Sequence, residues 1–373
     1  MNINILGIET SCDETAAAVV QNGGTILSNV VLSQINTHAA FGGVVPEVAS
    51  RKHLEAIIPV IDEAVHKSGL TLDKIDAIAV TYGPGLVGAL LVGLSFAKGL
   101  ARAKKIPLIG IHHVAAHIMA SRLTEAPPEP PFTALVVSGG HSSVFSVRDV
   151  RTFIQVGRTR DDAAGEAFDK VARFTGLGYP GGQKLEAAAV GGDPGFIRFP
   201  RTAFRDGSFD FSFSGVKTAA INCLKKELAK YGGPGPELPG KKLPGAALPG
   251  AALHNATQPG PELPGGYMRD FYASYQAAIV DALVNNTLAA ERGAGTGKIV
   301  VAGGVAANGA LRRRFAEAAA NGETGSPVTV FFPPPALCTD NAAMVAAAAY
   351  HDYIAGNFSD LTINAAPAAT LEA

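Results

Sequence analysis

The sequence predicts an α/β fold made of two related lobes, interrupted by a proline- and glycine-rich insertion. Strands alternate with helices along the chain, one hairpin pattern occurs twice, and 373 residues are enough for two domains of about 150 residues each. Hydrophobic residues make up 47% of the chain and charged residues 17%, a composition that supports large buried cores and argues against general disorder.

The first hairpin opens the chain. Residues 2–9 are apolar and β-rich, residues 10–14 form a polar turn, and residues 16–20 are apolar again. The tip of such a hairpin can face a phosphate. Residues 132–147 repeat the pattern around the turn at 138–142. The repeat indicates an internal duplication, although a generic α/β repeat also fits it.

Strand–glycine–helix units follow each hairpin. A buried strand at 77–81 leads through glycines into a helix at 86–102, and a strand at 298–302 leads through glycines into a helix at 306–320. The second helix begins beside Asn308, where free N–H groups would suit a nucleotide. Units of this kind are also common where nothing binds.

Residues 232–266 break the alternation. The heptapeptide PGPELPG occurs at 234–240 and again at 259–265. Proline at this density excludes a regular helix or a central strand, so we predict a low-complexity surface insertion. A linker without function is the simpler interpretation.

Bulk properties predict a cytoplasmic protein that does not enter a membrane. No run of about 18 apolar residues occurs, the N-terminus lacks a basic leader, and the three cysteines lack metal-type spacing. The net charge of −1 means that a nucleic-acid role must depend on local basic patches or a partner. Residues 51–53, 102–105 and 312–314 are candidates, and each also fits a solvated helix face.

Two histidines carry the first chemical signal. His113 and His117 are four residues apart, so on a helix both imidazoles project from one face at the spacing of a metal-binding pair. Many pairs at this spacing are structural. A zinc protease would need glutamate directly after the first histidine, where this chain has Val114.

Asp340 is a candidate third ligand. It follows a predicted strand at 328–332 and precedes a predicted helix at 342–350. Two histidines and one carboxylate would leave positions open for substrate and suit iron(II) or zinc. Capping of that helix by Thr339 or Asp340 is the alternative.

Residues 161–170 concentrate carboxylates. On a helix, Asp162, Glu166 and Asp169 would share one face, which is unfavourable unless a cation or a sugar hydroxyl is bound there. A solvated acidic face is the alternative, and the intervening Ala and Phe residues disfavour it.

Taken in order, these motifs resemble the tRNA threonylcarbamoyladenosine transferase (TsaD) family, formerly called the O-sialoglycoprotein endopeptidase family. The resemblance runs from residue 7 to about residue 345. Its motifs are GIETSCDET at 7–15, GGVVPEVASRKH at 42–53, GPGLVGALLVGLSFAKG at 83–99, the histidine pair, VVSGGH at 136–141, residues 161–170 and 179–182, FDFSFSGVK at 209–217, and residues 303–308 and 338–341. The insertion, His112 and the tail after Tyr353 depart from the family pattern.

The resemblance implies a two-lobed, actin-like (ribonuclease H-like, duplicated) fold. We expect one lobe over residues 1–118, completed by the helical segment 341–373, and a second lobe over 119–340. The implied activity is transfer of the threonylcarbamoyl group from L-threonylcarbamoyladenylate to the N6 amine of adenosine 37, in tRNAs that read codons beginning with A. The implied partners are tRNA, an inactive paralogue subunit and a small P-loop ATPase.

The resemblance also assigns site residues. The implied metal ligands are His113, His117 and Asp340, which hold one divalent ion, with iron(II) preferred and zinc as the alternative. Asp13 is our candidate to orient the reactants or to accept the amine proton. Implied contacts with the adenylate are Val136, Val137, Ser138, Gly139, Gly140, Asp169, Gly182, Glu186 and Asn308. At position 186 the family often carries aspartate.

The sequence leaves other classes of function open. A related metal-dependent carbamoyltransferase would act on a small-molecule hydroxyl, but such proteins usually carry a large extra domain. A scaffold like the inactive paralogue would lack the histidine pair and Asp340. A sugar kinase would fit the fold and leave the histidine pair unexplained.

Overall fold

The computed structural model describes residues 2–202, 204, 206–230, 263 and 265–371. Its strands are β1 (Asn4–Glu9), β2 (Glu14–Gln21), β3 (Thr25–Ser33), β4 (Ala77–Gly83), β5 (Leu108–His112), β6 (Phe132–Val137), β7 (Ser142–Val147), β8 (Phe153–Arg158), β9 (Lys298–Ala302) and β10 (Thr329–Phe331). The α-helices are α1 (Ile35–Ala39), α2 (Pro46–Lys67), α3 (Val87–Lys104), α4 (His113–Met119), α5 (Ala164–Phe174), α6 (Gly181–Ala189), α7 (Ser214–Lys230), α8 (Tyr267–Ala294), α9 (Gly309–Ala320) and α10 (Ala342–Ala355). The predicted insertion at 232–266 lies outside the described residues, apart from Leu263, Gly265 and Gly266.

Two five-stranded sheets share one topology. The first sheet has the order β3-β2-β1-β4-β5 and the second has β10-β9-β6-β7-β8. In each, the first three strands in sequence form an antiparallel meander, and the last two continue the sheet in parallel from its first strand. The two predicted hairpins are therefore equivalent, and the predicted duplication is present in the fold.

Helices cover both faces of the first sheet. Alternate residues of β1 point to opposite faces, so Ile5 packs with α10 and Leu6 packs with α2 and α3. The fit against α10 is close: a Cβ on Gly7 would lie 2.3 Å from the carbonyl oxygen of Ala342. The helix at the end of the sequence thus completes the sheet that begins it.

The second sheet has a large core on one face, formed with α5 to α9. Leu135 and Val137 point into this core, whereas Ala134 and Val136 point to the opposite face. Helix α4 packs on that opposite face.

Helix α4 lies between the two sheets. Val114 and Ile118 pack against the second sheet, and Ala116 packs into the apolar cluster of the first sheet and α10. The remaining helix face carries His113 and His117, whose rings meet edge to face with their centroids 4.6 Å apart. The packing of this short helix therefore brings both imidazoles to the junction of the sheets.

Capping side chains fix three helix starts at this junction. Asn308 accepts from the N–H of Leu311 at the start of α9, and Asn341 accepts from the N–H of Met344 at the start of α10. The predicted helix at 306–320 therefore begins later, at Gly309, after a short 3-10 turn at Gly304–Ala307. His112 caps α4 by accepting from the N–H of Val114.

None of the helices among the described residues is long and apolar enough to span a bilayer. The proposed lobe boundaries, 1–118 with 341–373 and 119–340, stay predictions.

Candidate active site at the junction of the two sheets

A cavity of about 820 Å³, here called the main cavity, opens between the two hairpin tips. Its walls come from elements of both sheets. Among the predicted site residues, those that line it are Asp13, His113, Ser138, Gly139, Gly140, Asp169, Gly182, Glu186, Asn308 and Asp340.

The three predicted metal ligands meet at one end of this cavity. The ligand atoms of His113, His117 and Asp340 all lie within 4.8 Å of one another. Oδ1 of Asp340 is 3.1 Å from Nε2 of His117 and 3.6 Å from Nε2 of His113. Because Asn341 caps α10, the alternative that Thr339 or Asp340 is the N-cap is wrong, and the Asp340 carboxylate faces the imidazoles instead.

Glu9 holds the first imidazole in place. This fully buried residue ends β1, and its Oε2 lies 3.1 Å from Nδ1 of His113. The Thr81 hydroxyl and the Ser11 N–H also donate to its carboxylate. With Nδ1–H donated to Glu9, Nε2 of His113 is directed towards Asp340, and loss of its proton would give it the orientation that histidine ligands of metals usually have.

The charges at this end favour a cation. Burial by itself lowers the pKa of His113, but the carboxylates of Asp340 and Glu9 raise that pKa to about 9. Burial likewise raises the pKa of Asp340, and the two imidazoles bring it well below its usual range. The donor set of two imidazoles and one carboxylate therefore fits a divalent ion, which would replace the proton on His113.

Asp13 lies at the tip of the first hairpin, buried beside this cluster. Tyr179, from the segment before α6, donates from its hydroxyl to Oδ2 of Asp13 over 3.4 Å. Burial and the nearby charge of Asp13 raise the pKa of Tyr179, so the phenol stays protonated. Tyr179 thus connects the side of the cavity formed by α5 and α6 to the first hairpin.

His53 of α2 supports the same hairpin from behind. Its Nε2 lies 3.0 Å from the carbonyl oxygen of Cys12, and its Nδ1 lies 2.7 Å from the Thr15 hydroxyl. A neutral ring donates to the carbonyl and accepts from the hydroxyl. The basic patch predicted at 51–53 is accordingly smaller than expected, because His53 is buried and Lys52 pairs with Glu55.

We expect His53 to make stability depend on pH. Burial lowers its folded-state pKa below the ordinary 6.5, so below pH 6.5 the unfolded chain binds a proton that the folded chain resists. Stability should then be fully present above pH 6.5 and fall as the pH drops towards the folded-state pKa. Chemical denaturation between pH 7.5 and 5 should show that the free energy of unfolding falls more steeply with decreasing pH for wild type than for His53→Gln. If the free energies of the two proteins fell in parallel, this role of His53 would be contradicted.

The second hairpin tip forms the opposite wall. The turn is closed by the Ser138 N–H donating to the His141 carbonyl oxygen and by the His141 N–H donating to the Ser138 hydroxyl. A Cβ built on Gly139 or Gly140 would meet nothing within 4 Å, so the backbone of both glycines is open to the cavity. Such a turn can hold an anion with its N–H groups.

Helix α5 presses directly against this turn at Gly165. A Cβ there would lie 2.6 Å from the Ser138 carbonyl oxygen and 2.8 Å from the Gly139 Cα. We expect Gly165→Ala to destabilise the protein by about 1–3 kcal/mol and to weaken nucleotide binding, because the turn must move. Urea denaturation and calorimetric titration with AMP would measure both effects.

Gly99 offers a matched control for that substitution. It is an exposed helical glycine of α3 with open space around its missing Cβ. Gly99→Ala should stabilise by roughly 0.5–1 kcal/mol and leave AMP binding unchanged. Equal effects of the two substitutions on AMP binding would contradict the role of Gly165.

Acceptor groups line the far end of the main cavity. Oδ1 of Asp169 accepts from the N–H groups of Gly181 and Gly182 at the start of α6, at 2.7 and 3.2 Å. Oε1 of Glu186 accepts from the N–H of Gly309 at 2.6 Å. Each carboxylate keeps a second oxygen that can accept from a ligand hydroxyl.

Two predicted adenylate contacts do not line the main cavity, and a third has a structural role as well. Val136 and Val137 lie in β6 with fully buried side chains that pack into the two apolar clusters on either face, so they do not line the main cavity. Asn308 lines the cavity, but its Oδ1 caps α9 and its Nδ2 donates to Gln276. Asn308 therefore positions the helix start, and its contact with the adenylate stays a prediction.

The acidic segment at 161–170 is divided by the start of α5. Asp162 precedes the helix, so it does not share a face with Glu166 and Asp169 as predicted. It forms ion pairs with Lys170 and Lys217, which supply the expected cations. Only the later part of the segment, including Asp169, faces the cavity.

Sequence reasoning missed two residues at this site. Glu9 carried a signal, since it is the single charged residue in an apolar first strand. Tyr179 lay inside a recognised motif but had no assigned contact.

Solved structures share this architecture. Full-length HypF, in a phosphate- and nucleotide-bound form, superposes with a TM-score of 0.56 at 13% identity, over 96% of this chain and 47% of that chain. Component A of the (R)-2-hydroxyglutaryl-CoA dehydratase of Acidaminococcus fermentans superposes with a TM-score of 0.51 at 15% identity, over 94% of this chain and 99% of that chain. At these identities the similarity concerns the fold alone, and it confirms the predicted two-lobed actin-like α/β fold.

Relatives found by sequence are much more similar to this chain than these solved structures are, with identities of 50%. A Clostridium perfringens protein named tRNA N6-adenosine threonylcarbamoyltransferase is 50% identical over 363 residues, which are 97% of this chain and 96% of that protein. A Clostridium botulinum protein of the same name is 50% identical over 367 residues, 98% of this chain and 97% of that protein. The family described as TsaD, tRNA N6-adenosine threonylcarbamoyltransferase, matches residues 25–347. The chain therefore belongs to the tRNA N6-adenosine threonylcarbamoyltransferase family, as the sequence predicted.

Proposed function

We propose that this chain transfers the threonylcarbamoyl group from L-threonylcarbamoyladenylate to the N6 amine of adenosine 37, in tRNAs that read codons beginning with A, and releases AMP. The observation that carries this proposal is the joint placement of the His113, His117 and Asp340 cluster and the open glycine turn in one cavity. A cation site beside an anion-binding turn suits an acyl phosphate donor.

The donor adenylate would lie along the main cavity. The N–H groups of Gly139 and Gly140 would hold its phosphate together with the Ser138 hydroxyl, because the Ser138 N–H is already donated to His141. The free oxygens of Asp169 and Glu186 would accept from its ribose hydroxyls. Glu186 is one methylene longer than the aspartate common in the family, and its hydrogen bond to Gly309 keeps the carboxylate at the cavity wall.

In the transfer step, the N6 amine attacks the carbamoyl carbon, the bond from that carbon to the phosphate oxygen breaks, and AMP leaves. An aromatic amine is a poor nucleophile, so the loss of its proton must be assisted. Asp13 would accept this proton, while the Tyr179 hydroxyl holds the carboxylate in position.

His113, His117 and Asp340 would hold one divalent ion, with iron(II) preferred and zinc as the alternative. Two imidazoles and one carboxylate leave coordination positions open, which is typical of non-haem iron(II) sites. When bound, such an ion supplies Lewis-acid polarisation and neutralises phosphate charge.

The chain would act in the cytoplasm together with other proteins. Exposed apolar side chains on α2 and α3, among them Leu54, Ile58 and Val87, are 54–64% exposed and would suit a paralogous subunit. A small P-loop ATPase is the other proposed partner. The surfaces of partner proteins are also needed to bind tRNA, because two of the predicted basic patches are largely engaged within this protein. In the patch at 51–53, His53 is buried and Lys52 pairs with Glu55. In the patch at 312–314, Arg314 pairs with Asp281 and Glu323.

The proposal is tested by mass spectrometry of tRNA after depletion of this protein from its host. We expect the threonylcarbamoyl modification of adenosine 37 to disappear, to return with the wild-type gene, and to stay absent with His113→Ala. Persistence of the modified nucleoside in depleted cells would overturn the proposal and favour a small-molecule carbamoyltransferase or a scaffold.

A further inference from the structure

A second cleft of about 210 Å³, here called the side cleft, adjoins the main cavity. Pro84, Gly140 and His141 line both spaces. A ligand in the side cleft is therefore separated from a ligand in the main cavity only by the tip of the second hairpin and the turn after β4.

The side cleft is built from three parts of the chain. Strands β7 and β8 form one wall, the start of α4 forms another, and Ala369–Leu371 of the C-terminal tail form the third. His112 secures the tail: its Nε2 lies 3.3 Å from the Ala369 carbonyl oxygen, and its Nδ1 accepts from the Val114 N–H. One neutral tautomer satisfies both bonds, so the cleft has a defined shape.

The two spaces differ in charge. The main cavity is lined by the cations Lys170 and Arg173 and by six acidic residues, namely Asp13, Glu14, Glu166, Asp169, Glu186 and Asp340, whereas none of the described residues that line the side cleft is acidic. An RNA backbone that approaches the side cleft therefore meets no acidic side chain among these residues.

Arg158 supplies a cation at the side cleft. Its N–H donates to Asp210 and its carbonyl oxygen accepts from the Phe211 N–H, both over 2.9 Å, so the backbone is held firmly at the end of β8. Arg158 is exposed, and its guanidinium forms no ion pair with the described residues. A guanidinium placed in this way suits a phosphodiester.

We propose that the side cleft receives the acceptor nucleotide of the RNA, and that Arg158 binds a phosphate flanking it. The adenine base lies between the Gly140–His141 tip and the tail, with its exocyclic amine directed past His141 into the main cavity. This inference rests on the proposed function and adds the route by which the second substrate reaches the donor.

The first test measures transfer by wild type and variants in the complete complex with its partner proteins, varying tRNA and donor separately. Arg158→Glu should raise KM for tRNA about tenfold or more, the size expected for losing one charge-assisted phosphate contact, and leave KM for the donor unchanged. Arg158→Lys should restore most of the affinity. Arg151→Glu, an exposed arginine in the turn between β7 and β8, is the matched control and should behave as wild type.

An unchanged KM for tRNA in Arg158→Glu, or an equal rise in Arg151→Glu, would overturn the inference. If wild-type complex transfers nothing to any tRNA, the proposed function fails, and the two failures are thereby distinguished. A second measurement is independent of these variants: an anticodon stem-loop with 8-azidoadenosine at the acceptor position is crosslinked to the complex. Crosslinks should map to residues 142–159 or 369–371, and crosslinks confined to the opposite rim at residues 35–44 would contradict the placement.

Discussion

Replacing Asp340 by asparagine is expected to remove the bound metal and to reduce transfer by roughly a thousandfold, because Lewis-acid stabilisation is worth several kcal/mol. Asparagine has nearly the same size, but it lacks the charge that lies 3.1 Å from His117 and 3.6 Å from His113. Metal content by elemental analysis and single-turnover transfer to tRNA would measure the two effects.

The control for this substitution is Glu125→Gln, which removes a carboxylate from an exposed loop. It should retain wild-type metal content and rate. Full metal occupancy in Asp340→Asn would show that the carboxylate is not a ligand, and a normal rate with no metal would show that transfer does not use the ion.

Asp13→Asn is expected to slow transfer by about 10²–10⁴-fold, the usual contribution of a positioned general base. Donor binding should be unaffected, because the substitution preserves the shape of the hairpin tip. Rapid-quench transfer under single-turnover conditions would measure the rate, and calorimetric titration with AMP would measure binding.

Tyr179→Phe separates proton transfer from positioning. The substitution removes only a hydrogen bond of 3.4 Å to Asp13, so we expect the transfer rate to fall tenfold or less. Asp13→Asn with a normal transfer rate would contradict the assignment, as would a Tyr179→Phe variant slower than Asp13→Asn.

Local sequence patterns predicted the strands well. The strand at 298–302 is found at those residues, and the hairpins around residues 10–14 and 138–142 are found with their tips in the main cavity. Apolar runs bounded by glycine or polar turns carry this information within a few residues.

Helix starts were less predictable, because they depend on which side chain becomes the cap. Asn308 delays α9, and Ala163 holds an extended conformation that leaves Asp162 outside α5. The ion pair between Asp162 and Lys217 joins residues that are 55 positions apart. Spacing within a motif cannot reveal such contacts.

In the candidate site too, local spacing was predictable from the sequence and contacts between distant residues were not. The four-residue spacing of His113 and His117 predicted one shared helix face, and the structure shows it. Asp340 lies 223 residues beyond His117, so its own motif left a metal ligand and a helix cap as alternatives, and the resemblance to the family implied the pairing. The Glu9 contact with His113 and the position of Arg158 at the side cleft required the three-dimensional arrangement of both sheets.

Anomalous X-ray scattering from crystals loaded with iron(II) or zinc, with AMP present, tests the central claim most directly. We expect one anomalous peak per chain, bonded to His113, His117 and Asp340, with the AMP phosphate at the Ser138–Gly140 turn. An active, metal-loaded protein whose peak lies away from these three side chains would contradict it.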